Sequence, residues 1–63
     1  MRWQKGAAKT YNIIGAVYYF QGNYPKALKN HFTSLKIFEE MGDKGGIAGS
    51  YNNIGLVYFK KGN

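Results

Sequence analysis

Four kinds of residue in this chain could do chemistry. They are one histidine, His31; two adjacent carboxylates, Glu39 and Glu40; a glycine-rich run around one acid, "GDKGGIAG" from Gly42 to Gly49; and a set of lysines. A histidine can serve as general acid, general base or metal ligand, but each role needs a partner. His31 has no cysteine anywhere in the chain and no acid at metal-ligand spacing, so it reads as a residue packed between helices. Glu39 and Glu40, as helix neighbours, point about 100° apart and cannot flank one substrate as a paired acid and base. The glycine run does not follow a strand, as a phosphate-cradling loop would, and no serine sits in a nucleophile elbow. These residues predict no enzyme, no cofactor and no metal site.

The lysines carry a different expectation. Nine Lys and Arg against three Asp and Glu give a net charge of +6, which draws a protein towards nucleic acid, anionic lipid or acidic peptides. Lys26, Lys29 and Lys36 would share one outer helix face, and Lys60 and Lys61 would end another helix, yet no recognised nucleic-acid module surrounds them. Nucleic-acid binding is therefore the weaker alternative, and it would weaken steeply with salt. The longest apolar stretch, Ile13 to Phe20, falls far short of the roughly 20 residues that cross a bilayer as a helix. With no cysteine and no leader-like opening, the expected setting is cytoplasmic.

The elements that would position these residues emerge when the 63-residue chain is slid along itself. At an offset of forty, eleven of twenty-three pairs are identical: Met1/Met41, Gly6/Gly46, Ala8/Ala48, Tyr11/Tyr51, Asn12/Asn52, Ile14/Ile54, Gly15/Gly55, Val17/Val57, Tyr18/Tyr58, Gly22/Gly62 and Asn23/Asn63. A repeat of this length is the mark of a solenoid, in which each unit buries its apolar face only against its neighbours. Tyr11, Ile14, Gly15 and Tyr18 fall at i, i+3, i+4 and i+7, one stripe of a helix, and Tyr51, Ile54, Gly55 and Tyr58 repeat it. Between the copies, Leu28, Phe32, Leu35 and Phe38 form a second helical stripe, with Ala27, His31, Ser34 and Met41 beside it. Gly22-Asn23 and Gly42-Asp43 each supply a helix-ending glycine and a capping side chain, and Pro25 suits a first helical turn. The spacing predicts an all-α chain with helices over about 4–21, 24–41 and 44–61. The recurring Gly15 and Gly55, costly inside a helix by about 1 kcal/mol each, predict close backbone approach, for Gly15 against Ala27.

The run Tyr11, Ile14-Gly15, Tyr18, Gly22, Tyr24, Ala27, with Leu35 and Ile37 beyond, resembles the tetratricopeptide repeat. The forty-residue period is similar to the extended repeats of kinesin light chains, G-protein-signalling modulators and many bacterial signalling proteins. The resemblance implies an antiparallel helix-turn-helix solenoid fragment of about one and a half repeats, forming a single module over 1–63, and a protein–protein interaction or scaffold role. It also implies a concave peptide groove lined by first-helix positions: Asn12, Ala16, Tyr19 and Phe20, then Asn52, Asn53, Leu56, Phe59 and Lys60. Ala16 and Leu56 stand where the carboxylate-clamp members have polar groups, so that mode of peptide capture is not expected. His31, Ser34 and Glu39 also depart from the family pattern, and peptide specificity does not carry over.

A first helix, a second helix and another first helix leave the last without its partner. Ile47, Tyr51, Ile54 and Tyr58 are expected to form an open edge of roughly several hundred Å², the scale of an interaction site. Self-association is the predicted consequence, through a two-fold dimer or through exchange of the near-identical first and third helices. The alternative is a purely structural self-assembling fragment with no natural ligand.

Overall fold

The computed structural model describes residues 2–62 and consists of three helices, α1 (Arg2–Phe20), α2 (Tyr24–Met41) and α3 (Lys44–Lys61). Met1 and Asn63, each half of a repeat pair, lie outside the described residues. The helices start and stop where local chemistry directs. Asn23 caps α2, its side-chain oxygen accepting from the Lys26 backbone N–H at 3.3 Å, and Asp43 caps α3 by accepting from the Gly46 N–H at 3.0 Å. Such a cap stabilises a helix by about 1 kcal/mol. Gly22 and Gly42 end the preceding helices with φ of 79° and 69°, in the left-handed region open to glycine. The next residue then bonds back across the last turn, Asn23 N–H to Tyr18 O at 2.9 Å and Asp43 N–H to Phe38 O at 3.0 Å. Two tight turns follow, and the chain folds into an antiparallel array. No helix among the described residues is long and apolar enough to cross a membrane.

α2 is the central element. It packs against both α1 and α3, which scarcely touch one another. The core is accordingly the strip of α2 that both neighbours share: Ala27, His31, Ser34, Leu35 and Phe38 are buried, joined by Ala8 and Gly15 from α1 and by Ser50, Ile54 and Val57 from α3. This shifts the second-helix stripe from its expected centre. Leu35 and Phe38 are inside, but Leu28 is half-buried and Phe32 exposed, because the strip held between two helices centres on Ala27, His31 and Ser34.

The two copies of the repeat bury different faces. In α1 the covered residues are Ala8 and Gly15; in α3 their equivalents Ala48 and Gly55 are exposed. In α3 the covered residues are Ser50, Ile54 and Val57; in α1 their equivalents Thr10, Ile14 and Val17 are exposed. At 100° per residue these two faces lie roughly half a turn apart around the helix. The tyrosine stripe lies at the margin between them, so Tyr11, Tyr51 and Tyr58 stay partly exposed rather than forming the core.

The glycines record the same division. A Cβ on Gly15 would come within 2.8 Å of His31 Cε1, and one on Gly46 would collide with the Phe38 ring, whereas Gly55 and Gly6 face open space. The close approach expected at Gly15 exists, but its partner is the imidazole of His31 and not Ala27; at Gly55 there is none. The predicted open edge needs a parallel correction. Ile54 is only 6% exposed because it packs against α2, Ile47 is half-buried, and Tyr51 and Tyr58 alone of the four stay open, at 55% and 39%.

Candidate interaction groove

α1 and α3 flank α2 on one side and leave a groove between them. At its far end lies a cavity of about 110 Å³. Ala16, Tyr19 and Phe20 of α1 form one wall, Asn53, Leu56 and Val57 of α3 the other, and His31 of α2 the floor. The Tyr19 ring is braced edge-on by Phe20, with centroids 5.3 Å apart, and lies 6.0 Å from the Tyr24 ring. At the opposite end is a wider, more polar hollow bordered by Lys5, Lys9, Asn12 and Asp43.

Five of the residues that the family resemblance places in the groove thus meet around one cavity: Ala16, Tyr19, Phe20, Asn53 and Leu56. Asn52, Phe59 and Lys60 are exposed on α3 and line neither hollow. Asn12 borders the polar hollow, but its amide turns inward. Its oxygen faces His31 Nδ1 at 2.9 Å, and its amino group donates to Ser50 Oγ at 3.4 Å.

These bonds belong to a polar chain that crosses all three helices, and its direction follows from its last member. The Ala8 carbonyl can only accept, so Ser34 Oγ–H donates to it, at 2.7 Å. Ser34 has no second proton, so across the 3.5 Å to Ser50 it is Ser50 Oγ–H that donates. Ser50 in turn accepts from the Asn12 amino group, which leaves the Asn12 oxygen to accept from His31 Nδ1–H. A backbone carbonyl on α1 therefore sets the tautomer of an imidazole on α2: the proton is on Nδ1 and the Nε2 lone pair is free. Burial reinforces this by pushing the His31 pKa below its ordinary 6.5, favouring the neutral ring. Among the described residues no buried side-chain nitrogen or oxygen is left without a partner.

Sequence reasoning places His31 between helices but misses the rest. A histidine three residues before a serine, opposite an unexplained helix glycine, is a signal for a ring seated on a neighbouring backbone. Pairing either with Asn12 or Ser50 requires the tertiary register.

No group of three or more histidine, cysteine, aspartate or glutamate side chains among the described residues could hold a metal ion. No curated protein and no solved structure is significantly similar to the chain. A family model does match, described as tetratricopeptide repeat, and it covers residues 6–63. The match is to the repeat as such, and nothing in it ties the chain to kinesin light chains or signalling modulators in particular. Three capped helices, a forty-residue repeat whose copies bury opposite faces, and a family match across nearly the whole length converge: the chain belongs to the tetratricopeptide repeat family.

Proposed function

We propose that this chain is a protein–protein interaction module with two surfaces, the groove between α1 and α3 and the open face of α3, and that the second surface pairs with another copy of the chain. Tetratricopeptide repeats are in general binding modules rather than enzymes, and the family match supports the broad role. The observation that carries the finer reading is the face division. Ala48, Asn52 and Gly55, flanked by Tyr51 and Tyr58, repeat the α1 residues Ala8, Asn12 and Gly15, flanked by Tyr11 and Tyr18, that α2 covers. A sequence that receives a helix in one copy stands open in the other.

Two-fold pairing of α3 with α3 fits better than exchange of helices. Each chain has one α2 with both sides occupied, so an incoming α3 must displace an α1 and gains no net contact. Pairing through α3 leaves every internal contact in place, and the small residues Ala48 and Gly55 let two helices approach at the close end of the usual 8–10 Å.

Sedimentation equilibrium tests the pairing: a dimer is expected at micromolar concentration, and Gly55→Glu should yield monomers with helicity intact, since glutamate is the better helix former. A wild-type monomer under those conditions refutes it. Because Ile54 is core, Ile54→Glu would unfold the chain and cannot serve as the probe. A peptide-library pull-down at moderate salt tests the groove, and retention of no peptide refutes that part.

A further inference from the structure

We propose that the 110 Å³ cavity between α1 and α3 seats a single phenol ring, the side chain of a tyrosine in a partner protein, with His31 Nε2 accepting a hydrogen bond from its hydroxyl. This assignment rests on the reading of the groove as a protein-binding surface and names what its apolar end selects.

The acceptor comes from the polar chain. His31 Nδ1 is committed to Asn12, and Nε2 has no hydrogen-bond partner among the described residues. Since no buried side-chain nitrogen there is unpartnered, Nε2 is not fully enclosed, although the residue is only 2% exposed, and the opening beside His31 is the cavity that it helps to line. Its ring face, at the Nδ1–Cε1–Nε2 side, lies against Gly15, next in sequence to Ala16 of the cavity wall. The imidazole is neutral at pH 7 because burial lowers its pKa, so Nε2 offers a lone pair and no charge.

Size and lining select the rest of the ligand. An enclosed apolar cavity of about 150 Å³ admits a whole benzene, so an open-mouthed 110 Å³ pocket takes the tip of one six-membered ring, and an indole would leave more of its surface outside. Tyr19, Phe20 and Leu56 offer ring edges and apolar carbon to such a guest. Among the described residues no charged side chain lines the cavity, and Tyr19 is the only other titratable group there. A carboxylate has no proton to give, and a lysine or arginine would approach a chain already at +6. A phenylalanine or leucine would strip water from Nε2 and leave it unpaired, weakening binding about tenfold relative to tyrosine.

His31 is the only histidine in the chain, so its imidazole resonances are identified without further assignment. Titration of the intact chain at pH 7 with 4-methylphenol, followed by nitrogen-15 shifts of the ring, should move Nε2 far more than Nδ1. Toluene should bind about tenfold more weakly. Ala16→Phe, which fills the cavity from α1 and replaces no member of the polar chain, should abolish the response. Equal binding of toluene, or binding of 4-methylphenol that leaves Nε2 unmoved, overturns the proposal. In a peptide array, equal retention of tyrosine peptides and their phenylalanine counterparts overturns the seat while the groove reading stands. Retention of no peptide at all overturns both the groove and the assignment of a protein tyrosine.

Discussion

Gly15 and Gly55 occupy the same position in the two copies of the repeat, and replacing each by alanine should move stability in opposite directions. Both substitutions gain about 1 kcal/mol of helix propensity. At Gly55 nothing lies within 4 Å of the new Cβ, so the gain stands. At Gly15 the new Cβ would lie 2.8 Å from His31 Cε1 and 2.9 Å from each ring nitrogen, well inside ordinary van der Waals contact. The ring is stiff and its Nδ1 is held by Asn12, so it must shift as a body. Overpacking of this kind costs about 1–3 kcal/mol, and a broken buried hydrogen bond about 1–3 kcal/mol more. After subtracting the propensity gain, Gly15→Ala should lose about 3 kcal/mol in the middle of that range. For a chain this small, 1 kcal/mol moves Tm by about 4–8 °C, so Gly15→Ala should fall by well over 10 °C while Gly55→Ala rises by several. The assay is thermal unfolding followed by far-ultraviolet circular dichroism, at a concentration where each variant sediments as a monomer. The double variant Gly15→Ala/His31→Ala should lose less than the sum of the two single losses, since the new Cβ no longer meets the ring. If Gly15→Ala melts at or above the wild type, the ring is not seated on that glycine and the face division is wrong.

Gly6 and Gly46 form the mirror pair: Gly46→Ala should destabilise by about 1–3 kcal/mol by driving into Phe38, while Gly6→Ala should be neutral or stabilising, as denaturant titration would show. Ser34→Ala removes the link between Ser50 and the Ala8 carbonyl and leaves the Ser50 hydroxyl without an acceptor, a loss of about 1–3 kcal/mol in the same titration. Stability should also depend on pH through His31. Its folded pKa lies below the unfolded 6.5, so the unfolded chain binds the proton first; stability is full above 6.5 and declines as pH falls from there towards the folded pKa. His31→Phe should lack that decline, and an unchanged slope between pH 7 and the onset of carboxylate titration would assign it to another group.

The sequence by itself determined the three helices, the bounds of α2 and α3, and the family, while α1 runs from Arg2 to Phe20 rather than over 4–21. Helix signals are local: Gly22-Asn23 and Gly42-Asp43 act within a few residues, and the caps form as the spacing requires. The forty-residue repeat is likewise a property of one dimension. What the sequence could not decide is which side of a repeated helix is used, because identical residues carry identical periodicity. Tyr11, Ile14, Gly15 and Tyr18 read the same as Tyr51, Ile54, Gly55 and Tyr58, yet α2 covers α1 at Gly15 and α3 at Ile54. Position relative to the one central helix breaks the symmetry, and that exists only in three dimensions. The same holds for the groove. Its walls at Ala16, Tyr19, Phe20, Asn53 and Leu56 are positions that the family resemblance implies, but its floor is not. His31 becomes a cavity floor with a free Nε2 because four side chains from three helices, ending on the Ala8 carbonyl, fix where its proton sits.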